Sequence, residues 1–535
     1  MKVFRRYLRS IAVGGAFVAS AWSCAGKKAD DRPNIVLILA DDMGWSDLGC
    51  YGSEVKTPNL DRLAENGVRF TQMYNTSKSF PSRAALITGV YAQQSGQHRT
   101  HKNPITSAVT MGEVLGQAGY RTLWSGKHHG AENPFTRGYD RYFGLKDGAT
   151  NHFNPGNQRP GEGLPAQKRT RSWCVDSTEY YPYTPTERDF YSTDYYTKYA
   201  LDWLEEYKKE DKPFFLYMAY TAPHDPLQAW PEDVAKYRGK YLEGYETTRR
   251  ARFAKQRELG IVGPEVKLSE AIYKDWDSMT DEQKDEEDLK MATYSAMIDR
   301  LDQNIGKLMA KIEEAGELDN TLIVFVSDNG SSPEIVELET DSGPSCSLTN
   351  WTSLGPDWAN VSNTPYRFFK TYSHEGGIRT PMIAHWPAKI KSKGDIVKYP
   401  GHFMDMMPTF VEITGAKYPQ THNGHPVAPM QGESLMPALT ENREVREKPL
   451  FWEWARGSAA RKGDWKIVRH SKKEWELYNL KNDPSETTDL AEKNPEKLAE
   501  LDAMFKAWKA DCAKWQKANK KIREGLKAGE LQAKL

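Results

Sequence analysis

Ile35-Val36-Leu37-Ile38-Leu39, running into Ala40-Asp41-Asp42, decides how this chain folds. Five consecutive large apolar residues without polar alternation read as a strand covered on both faces, the kind found in parallel sheets flanked by helices. Further strands follow outward from it. Residues 213–220 lead into Ala222-Pro223-His224, and residues 321–326 lead into Ser327-Asp328-Asn329-Gly330. Residues 57–66 (TPNLDRLAEN) predict a helix with Thr57 as cap and Pro58 at its first position, ending before Gly67. A helix over 110–117 precedes a short strand at 121–124. Strands alternating with helices predict an α/β fold, a large central mostly parallel mixed sheet flanked by helices. At 535 residues the chain exceeds what one core normally supports, so two domains are expected. The first spans 32–440. The second, a smaller C-terminal α+β domain over 447–535, carries an antiparallel sheet from strands at 450–454, 465–469 and 475–480, with Arg461-Lys462-Gly463-Asp464 as a turn. Asn494-Pro495 then opens a long helix with Leu498, Leu501, Phe505, Trp508 and Trp515 on one stripe.

Between the strands lie long insertions, which are uncommon unless they shape a site. Residues 151–188 and 331–364 read as loops, and the charged stretch 237–287 as a solvated helical excursion. Thr280-Asp281-Glu282-Gln283 is a capping box opening a helix with Met297, Leu301, Ile305, Leu308 and Ile312 at helical spacing.

Lys+Arg and Asp+Glu both number 73, so no bulk charge draws the protein to nucleic acid or to an anionic membrane; anion recognition must come from placed residues. Lys2, Arg5, Arg6 and Arg9 precede a weakly apolar run at 11–22 and Ser23-Cys24-Ala25-Gly26, which predicts a signal peptide over 1–24. The small residue before Cys24 makes that cysteine a lipid-attachment candidate. The expected location is therefore the periplasm, or a bacterial envelope membrane reached through a lipid anchor. Cys50, Cys174, Cys346 and Cys512 fit no zinc spacing and no disulfide framework; buried free thiols, or at most one bridge, are expected.

The chemistry gathers at strand ends, where ligands bind in open α/β sheets. Asp41 and Asp42 follow one strand, Asp328 and Asn329 another. An isolated Asp-Asp pair is ordinarily a turn; two such pairs after buried strands form a hard-oxygen set suited to Ca2+ or Mg2+. Ser79-Phe80-Pro81-Ser82-Arg83 places a hydroxyl at the N-terminus of a short helix over 82–88, stopped by Gly89, where free N–H groups and the dipole favour an anion. Arg83, Lys127, His129, His224 and Lys370 supply the cationic complement of a tetrahedral oxyanion. Together these predict a metal-assisted hydrolase of sulfate or phosphate esters with a nucleophile derived from residue 79.

These residues form motifs in a familiar order. Pro33 to Gly44, the Ser79-x-Pro81-Ser82-Arg83 signature in its serine form, Gly126-Lys127-x-His129, Pro223-His224, Asp328-Asn329-Gly330 and Lys370-x4-Glu375-Gly376-Gly377-x-Arg379 resemble the formylglycine-dependent sulfatases of the alkaline phosphatase superfamily, in their bacterial arylsulfatase-like branch. The resemblance covers roughly 32–491. It implies that Ser79 is oxidised to formylglycine (3-oxoalanine), whose hydrate is the nucleophile. It also implies that Asp41, Asp42, Asp328 and Asn329, with residue 79, hold one Ca2+. Arg83 and Lys127 would stabilise the hydrate and the sulfate; His224 and Lys370 would grip the transferring group, one of them protonating the leaving oxygen; His129 would assist sulfate release. His128 stands where the family often carries an aromatic residue. A serine precursor implies an anaerobic sulfatase-maturating enzyme as partner. The expected substrate is a sulfated small molecule or saccharide, with 16 Trp and 27 Tyr offering flat faces to sugar rings. The competing readings are a phosphodiesterase or phosphonate monoester hydrolase of the same superfamily, and a non-catalytic sulfated-glycan-binding protein.

Overall fold

A computed structural model describes residues 31–532, with side chains through 527, so the signal-peptide and Cys24 readings lie outside the described residues. Strand β1 (Asn34–Ala40) is fully buried and lies inside an 11-stranded sheet. The other strands of that sheet are β2 (Val68–Tyr74), β3 (Arg121–Gly126), β4 (Arg141–Leu145), β5 (Trp173–Val175), β6 (Thr178–Tyr180), β7 (Phe214–Ala219), β8 (Thr321–Ser327), β9 (Arg379–His385), β10 (Asp395–Val397) and β11 (Gly401–His402). The order is β10-β2-β9-β8-β1-β7-β3-β4-β5-β6, with β11 pairing onto β2. β1 runs parallel to both β7 and β8, and β3 runs parallel to β7 and β4. β9 is antiparallel to both neighbours, so the sheet is mostly parallel but mixed.

The alternation of β1 shows why its sequence had to be apolar throughout. Val36, Ile38 and Ala40 pack into a core on one face, and Ile35, Leu37 and Leu39 into a core on the other. Helices α1 (Pro58–Glu65), α2 (Ser79–Thr88), α3 (Met111–Gln117), α4 (Ser192–Tyr207), α5 (Gly244–Glu258), α6 (Asp281–Glu314) and α7 (Gly355–Ser362) cover these faces. The Thr280 capping box closes as predicted, Thr280 accepting from the Gln283 N–H, and the five apolar positions of α6 are all buried. A small hairpin, β12 (Thr421–His422) and β13 (His425–Pro426), precedes the C-terminal part. There β14 (Leu450–Trp454), β15 (Gly457–Lys462), β16 (Trp465–His470) and β17 (Glu476–Asn479) form an antiparallel sheet against helix α8 (Pro495–Gln532). Leu501, Phe505 and Trp508 of α8 share a core with Tyr74, Ala85 and Ile378 of the larger part.

Several expectations need correction. α2 begins at Ser79, not at residue 82, and Pro81 is its third residue; the first four N–H groups of a helix lack partners, so proline is tolerated there. The stretch 237–287 is not a solvated excursion. Tyr237, Tyr241 and Tyr245 are fully buried, and Arg252 of α5 pairs inward with Asp47 (2.6 Å) and Glu54 (2.7 Å). Residues 151–188 include the β5–β6 hairpin that extends the sheet edge, and 331–364 include α7. β15 is hidden by its small residues, its turn being narrower than the four residues read as one, with Lys462 opposite Trp465 across Gly463-Asp464. The four described cysteines are free thiols. Among the described residues no helix is long and apolar enough to cross a membrane.

Leu301→Ala, inside fully buried packing on α6, is expected to lose about 2–5 kcal/mol. Exposed Lys307→Ala on the same helix should stay within about 0.5 kcal/mol. Denaturant unfolding of both variants checks the contrast.

Candidate active site

Because β1, β7, β8 and β3 run in one direction, the segments leaving their carboxyl ends meet in one place. Asp42 takes a left-handed conformation (φ 64°), tolerated by Asp better than by most residues, and donates its N–H to Asp328 Oδ1 (3.2 Å). The Asp41 N–H donates to the Ala222 carbonyl (3.1 Å), tying the end of β1 to the segment that carries His224. Tyr294 of α6 donates to the Asp42 carbonyl (3.2 Å) and to Asp47 Oδ2 (2.7 Å), which holds the turn from behind.

Ser79 and Arg83 lie one turn apart on α2, and both are buried. Arg83 Nε donates to Ser79 Oγ (3.0 Å) and to Asp328 Oδ2 (2.9 Å), while Nη1 donates to the Lys127 carbonyl (3.1 Å). Lys127 Nζ lies 2.5 Å from Asp41 Oδ2. His129, with φ 59°, brings Nδ1 to 3.1 Å from Ser79 Oγ. Lys370 donates to Asp42 Oδ2 (2.8 Å), and His224 Nε2 lies 3.4 Å from that same oxygen. Asn329 Nδ2 donates to Asp42 Oδ1 (2.5 Å). All the residues singled out in the sequence therefore converge. His128 points elsewhere: it is buried edge-on against Trp124, with ring centroids 5.0 Å apart, which accounts for an imidazole where an aromatic ring was expected.

The site also takes in residues that the sequence reading did not single out. Glu334, from the 331–364 segment, accepts from both Lys370 (3.0 Å) and Lys78 (2.5 Å). Asp225 holds His224 Nδ1 at 2.8 Å. Phe80 stands edge-on between His129 (5.8 Å) and Trp454 (6.3 Å), so β14 packs against the surroundings of Ser79. His224-Asp225 and Ser79-Phe80 were adjacent pairs in plain view; only the fold shows that the second member of each faces the site.

Burial, with Asp328 alongside, pushes Asp41 up to about 6 against the pull of Lys127. Burial opposes ionisation of Asp328 as well, but Arg83 and Lys127 hold it below the ordinary carboxylate range. The histidines are driven apart. Burial, then Lys127 and His101, hold His129 well below its usual value, so it is neutral and able to accept a proton. Burial works in the same sense on His224, but Asp42, Asp41 and Asp225 outweigh it and raise that ring to about 9. Lys370 is raised well above its normal value by Asp42 and Glu334, despite burial. A neutral imidazole at Ser79 Oγ and an imidazolium among the strand-end carboxylates form an acid–base pair.

Asp41, Asp42 and His224 bring ligand atoms within 4.8 Å of one another. Asn329 Oδ1 is buried without a hydrogen-bond partner, and Asp41 Oδ1, equally buried, has only the Arg83 Nη2 at 3.4 Å beside it. Buried oxygen acceptors are rarely left unpaired, and an all-oxygen set of Asp41, Asp42, Asp328, Asn329 and residue 79 fits a hard divalent cation.

Comparison with known proteins identifies the family. A family model described as Sulfatase matches residues 33–416, and one described as N-sulphoglucosamine sulphohydrolase, C-terminal, matches 365–510. An arylsulfatase of Klebsiella aerogenes is 35% identical, covering 79% of this chain and 94% of its own. An uncharacterized sulfatase of Schizosaccharomyces pombe is 32% identical, covering 91% and 95%. The crystal structure of Ps i-CgsB in complex with k-i-k-neocarrahexaose superposes with a TM-score of 0.66 at 28% identity, covering 89% of this chain and 92% of that one.

Gly126, immediately before Lys127, has φ 123°, and a Cβ there would lie 1.9 Å from the Ala219 carbonyl oxygen of β7. Gly126→Ala is expected to cost about 3 kcal/mol or more and to displace Lys127 from Asp41. Calorimetric melting of the variant, with its turnover of aryl sulfate, checks both effects.

Proposed function

Because the chain belongs to the sulfatase family, whose members hydrolyse sulfuric esters, we propose that it desulfates a carbohydrate using a formylglycine made from Ser79, beside one Ca2+ ion. The observation that carries this reading is the double contact on Ser79 Oγ, from His129 Nδ1 at 3.1 Å and Arg83 Nε at 3.0 Å. A hydrated aldehyde at residue 79 supplies two oxygens, one to attack sulfur and one whose deprotonation expels sulfate; plain serine has no such exit. Asp41, Asp42, Asp328 and Asn329 would hold the cation, which supplies Lewis acidity at the sulfate and lowers the proton affinity of the attacking oxygen.

The chain's own groups divide the remaining work. Arg83 and Lys127 hold the oxygens of residue 79 and of the sulfate. Lys370, clamped between Asp42 and Glu334, is too basic to give up a proton and acts as a fixed charge on the sulfate. His224, raised to about 9, is protonated at neutral pH yet acidic enough to serve a departing alkoxide, so it protonates the leaving oxygen. Neutral His129 takes the proton from the second hydroxyl on residue 79.

A carbohydrate is favoured by the cluster of Phe80, Trp454 and His101 packed beside His129, and by the oligosaccharide named with the structural neighbour. The proposal includes an anaerobic maturase acting on Ser79, export directed by residues 1–24, and a lipid anchor at Cys24.

Mass spectrometry of the Ser79 peptide from active protein should show the loss of two hydrogens, and Ser79→Ala should reduce turnover to background. Matured protein should cleave sulfated saccharides and aryl sulfate far faster than aryl phosphate. An unmodified Ser79 in fully active protein, or a preference for phosphate, would overturn the reading.

A further inference from the structure

Asp225 is buried, and every oxygen of its carboxylate is committed. Oδ1 faces His224 Nδ1 at 2.8 Å, and Oδ2 accepts from Trp351 Nε1 (3.0 Å) and Ser353 Oγ (2.6 Å). Trp351 and Ser353 belong to the 331–364 insertion, which is also tied to the same segment by the Leu227 N–H donating to the Thr352 carbonyl (2.8 Å). His224 Nδ1 additionally faces the Asp225 carbonyl oxygen at 2.6 Å. With two acceptors on Nδ1, that nitrogen carries hydrogen, and the ring is locked with Nε2 turned toward the carboxylates at the strand ends. Within the insertion the Trp351 backbone N–H also donates to Asp341 Oδ1 (2.8 Å) and Ser353 Oγ also accepts from the Val336 N–H (3.1 Å), which holds both side chains in place against Asp225.

We propose that Asp225 is a positioning residue that fixes the tautomer and aim of His224, and that Trp351 and Ser353 give the insertion control over esters with poor leaving groups, the alkyl sulfates of carbohydrates. The proposal rests on the sulfatase reading above and deepens it. As the bridging S–O bond breaks, its electron pair stays on the carbohydrate oxygen, which takes the Nε2 proton of His224. The new S–O bond forms to an ionised oxygen on residue 79, its proton lost to solvent before attack, and the Nδ1 hydrogen stays beside Asp225 throughout. A phenolate carries its own negative charge well and needs little of this help; a sugar alkoxide needs nearly all of it.

The test is a leaving-group series: aryl sulfates of graded phenol acidity together with a sugar sulfate, measured on matured parent, Asp225→Asn, Ser353→Ala and Trp351→Phe. Asp225→Asn is expected to lose about a hundredfold in kcat on the sugar sulfate but only about threefold on 4-nitrophenyl sulfate, with KM nearly constant. The rate should therefore fall more steeply with leaving-group basicity than in the parent. Ser353→Ala and Trp351→Phe, which leave the carboxylate in place, should show the same steepening at smaller size. Equal losses across the series would mark a merely structural role and overturn the proposal, as would an unchanged rate on the sugar ester. Ring ¹⁵N shifts of histidine-labelled protein give a readout without turnover: hydrogen on Nδ1 of neutral His224 supports the dyad, and hydrogen on Nε2 alone overturns it. If matured parent cleaved phosphate esters but no sulfate, the functional reading would fall while these shifts still decided the dyad.

Discussion

Asp41 and Asp328 leave the ends of neighbouring strands, with Ala40 and Ser327 paired in register, and both are buried beside Asp42. Three carboxylates brought that close out of water repel one another and lose hydration, so the surrounding structure must supply compensating charge. It does so on every side, through Arg83, Lys127, Lys370 and His224, with Lys78 and Glu334 farther out and Asp225 behind His224. The acids Asp41, Asp42, Asp328, Asp225 and Glu334 are matched by the bases Arg83, Lys127, Lys370, His224 and Lys78. A divalent cation entering alone would unbalance this shell, and a sulfate dianion would restore it. Cation and oxyanion are therefore expected to favour each other's binding.

The parallel sheet explains why such distant residues meet. β1, β7, β8 and β3 deliver their following segments to one edge, the place where open α/β sheets bind ligands. The antiparallel β9 begins where β8 ends, so the segment leading into it delivers Lys370 to the same edge. That segment is clamped by the C-terminal sheet. Tyr372 stacks on His470 with centroids 4.2 Å apart, and Lys466 bridges Glu375 and Glu486 at 2.7 Å each. Gly457 of β15 lies so close that a Cβ there would come within 2.6 Å of Ser373 Oγ. The smaller sheet thus positions a site residue as well as covering hydrophobic surface.

Strand β1 and the acids after it were legible because an uninterrupted apolar run has one comfortable environment, and because polar residues that follow such runs fall at a common edge. The same logic found Asp328, Asn329 and His224. Ser79 was read correctly as a residue near a helix N-terminus, although the helix starts earlier than the proline suggested. Glu334 was invisible because nothing local separates a loop glutamate in solvent from one shared by two lysines. Arg252 escaped for the same reason: composition counts charges without telling which are paired inside. Trp454 reaches Phe80 only through the packing of the C-terminal sheet on the larger part, and no spacing along the chain encodes that.

The central claim is that the strand-end carboxylates and Asn329 form a divalent-cation site, and melting with and without calcium tests it most directly. Protein stripped with chelator and returned to Ca2+ at about a hundredfold excess over its dissociation constant should gain about 2.7 kcal/mol of stability. The gain should vanish in an Asp41→Asn/Asp328→Asn double variant that remains folded. An unmoved melting temperature in the parent, or an equal rise in the double variant, would contradict the account.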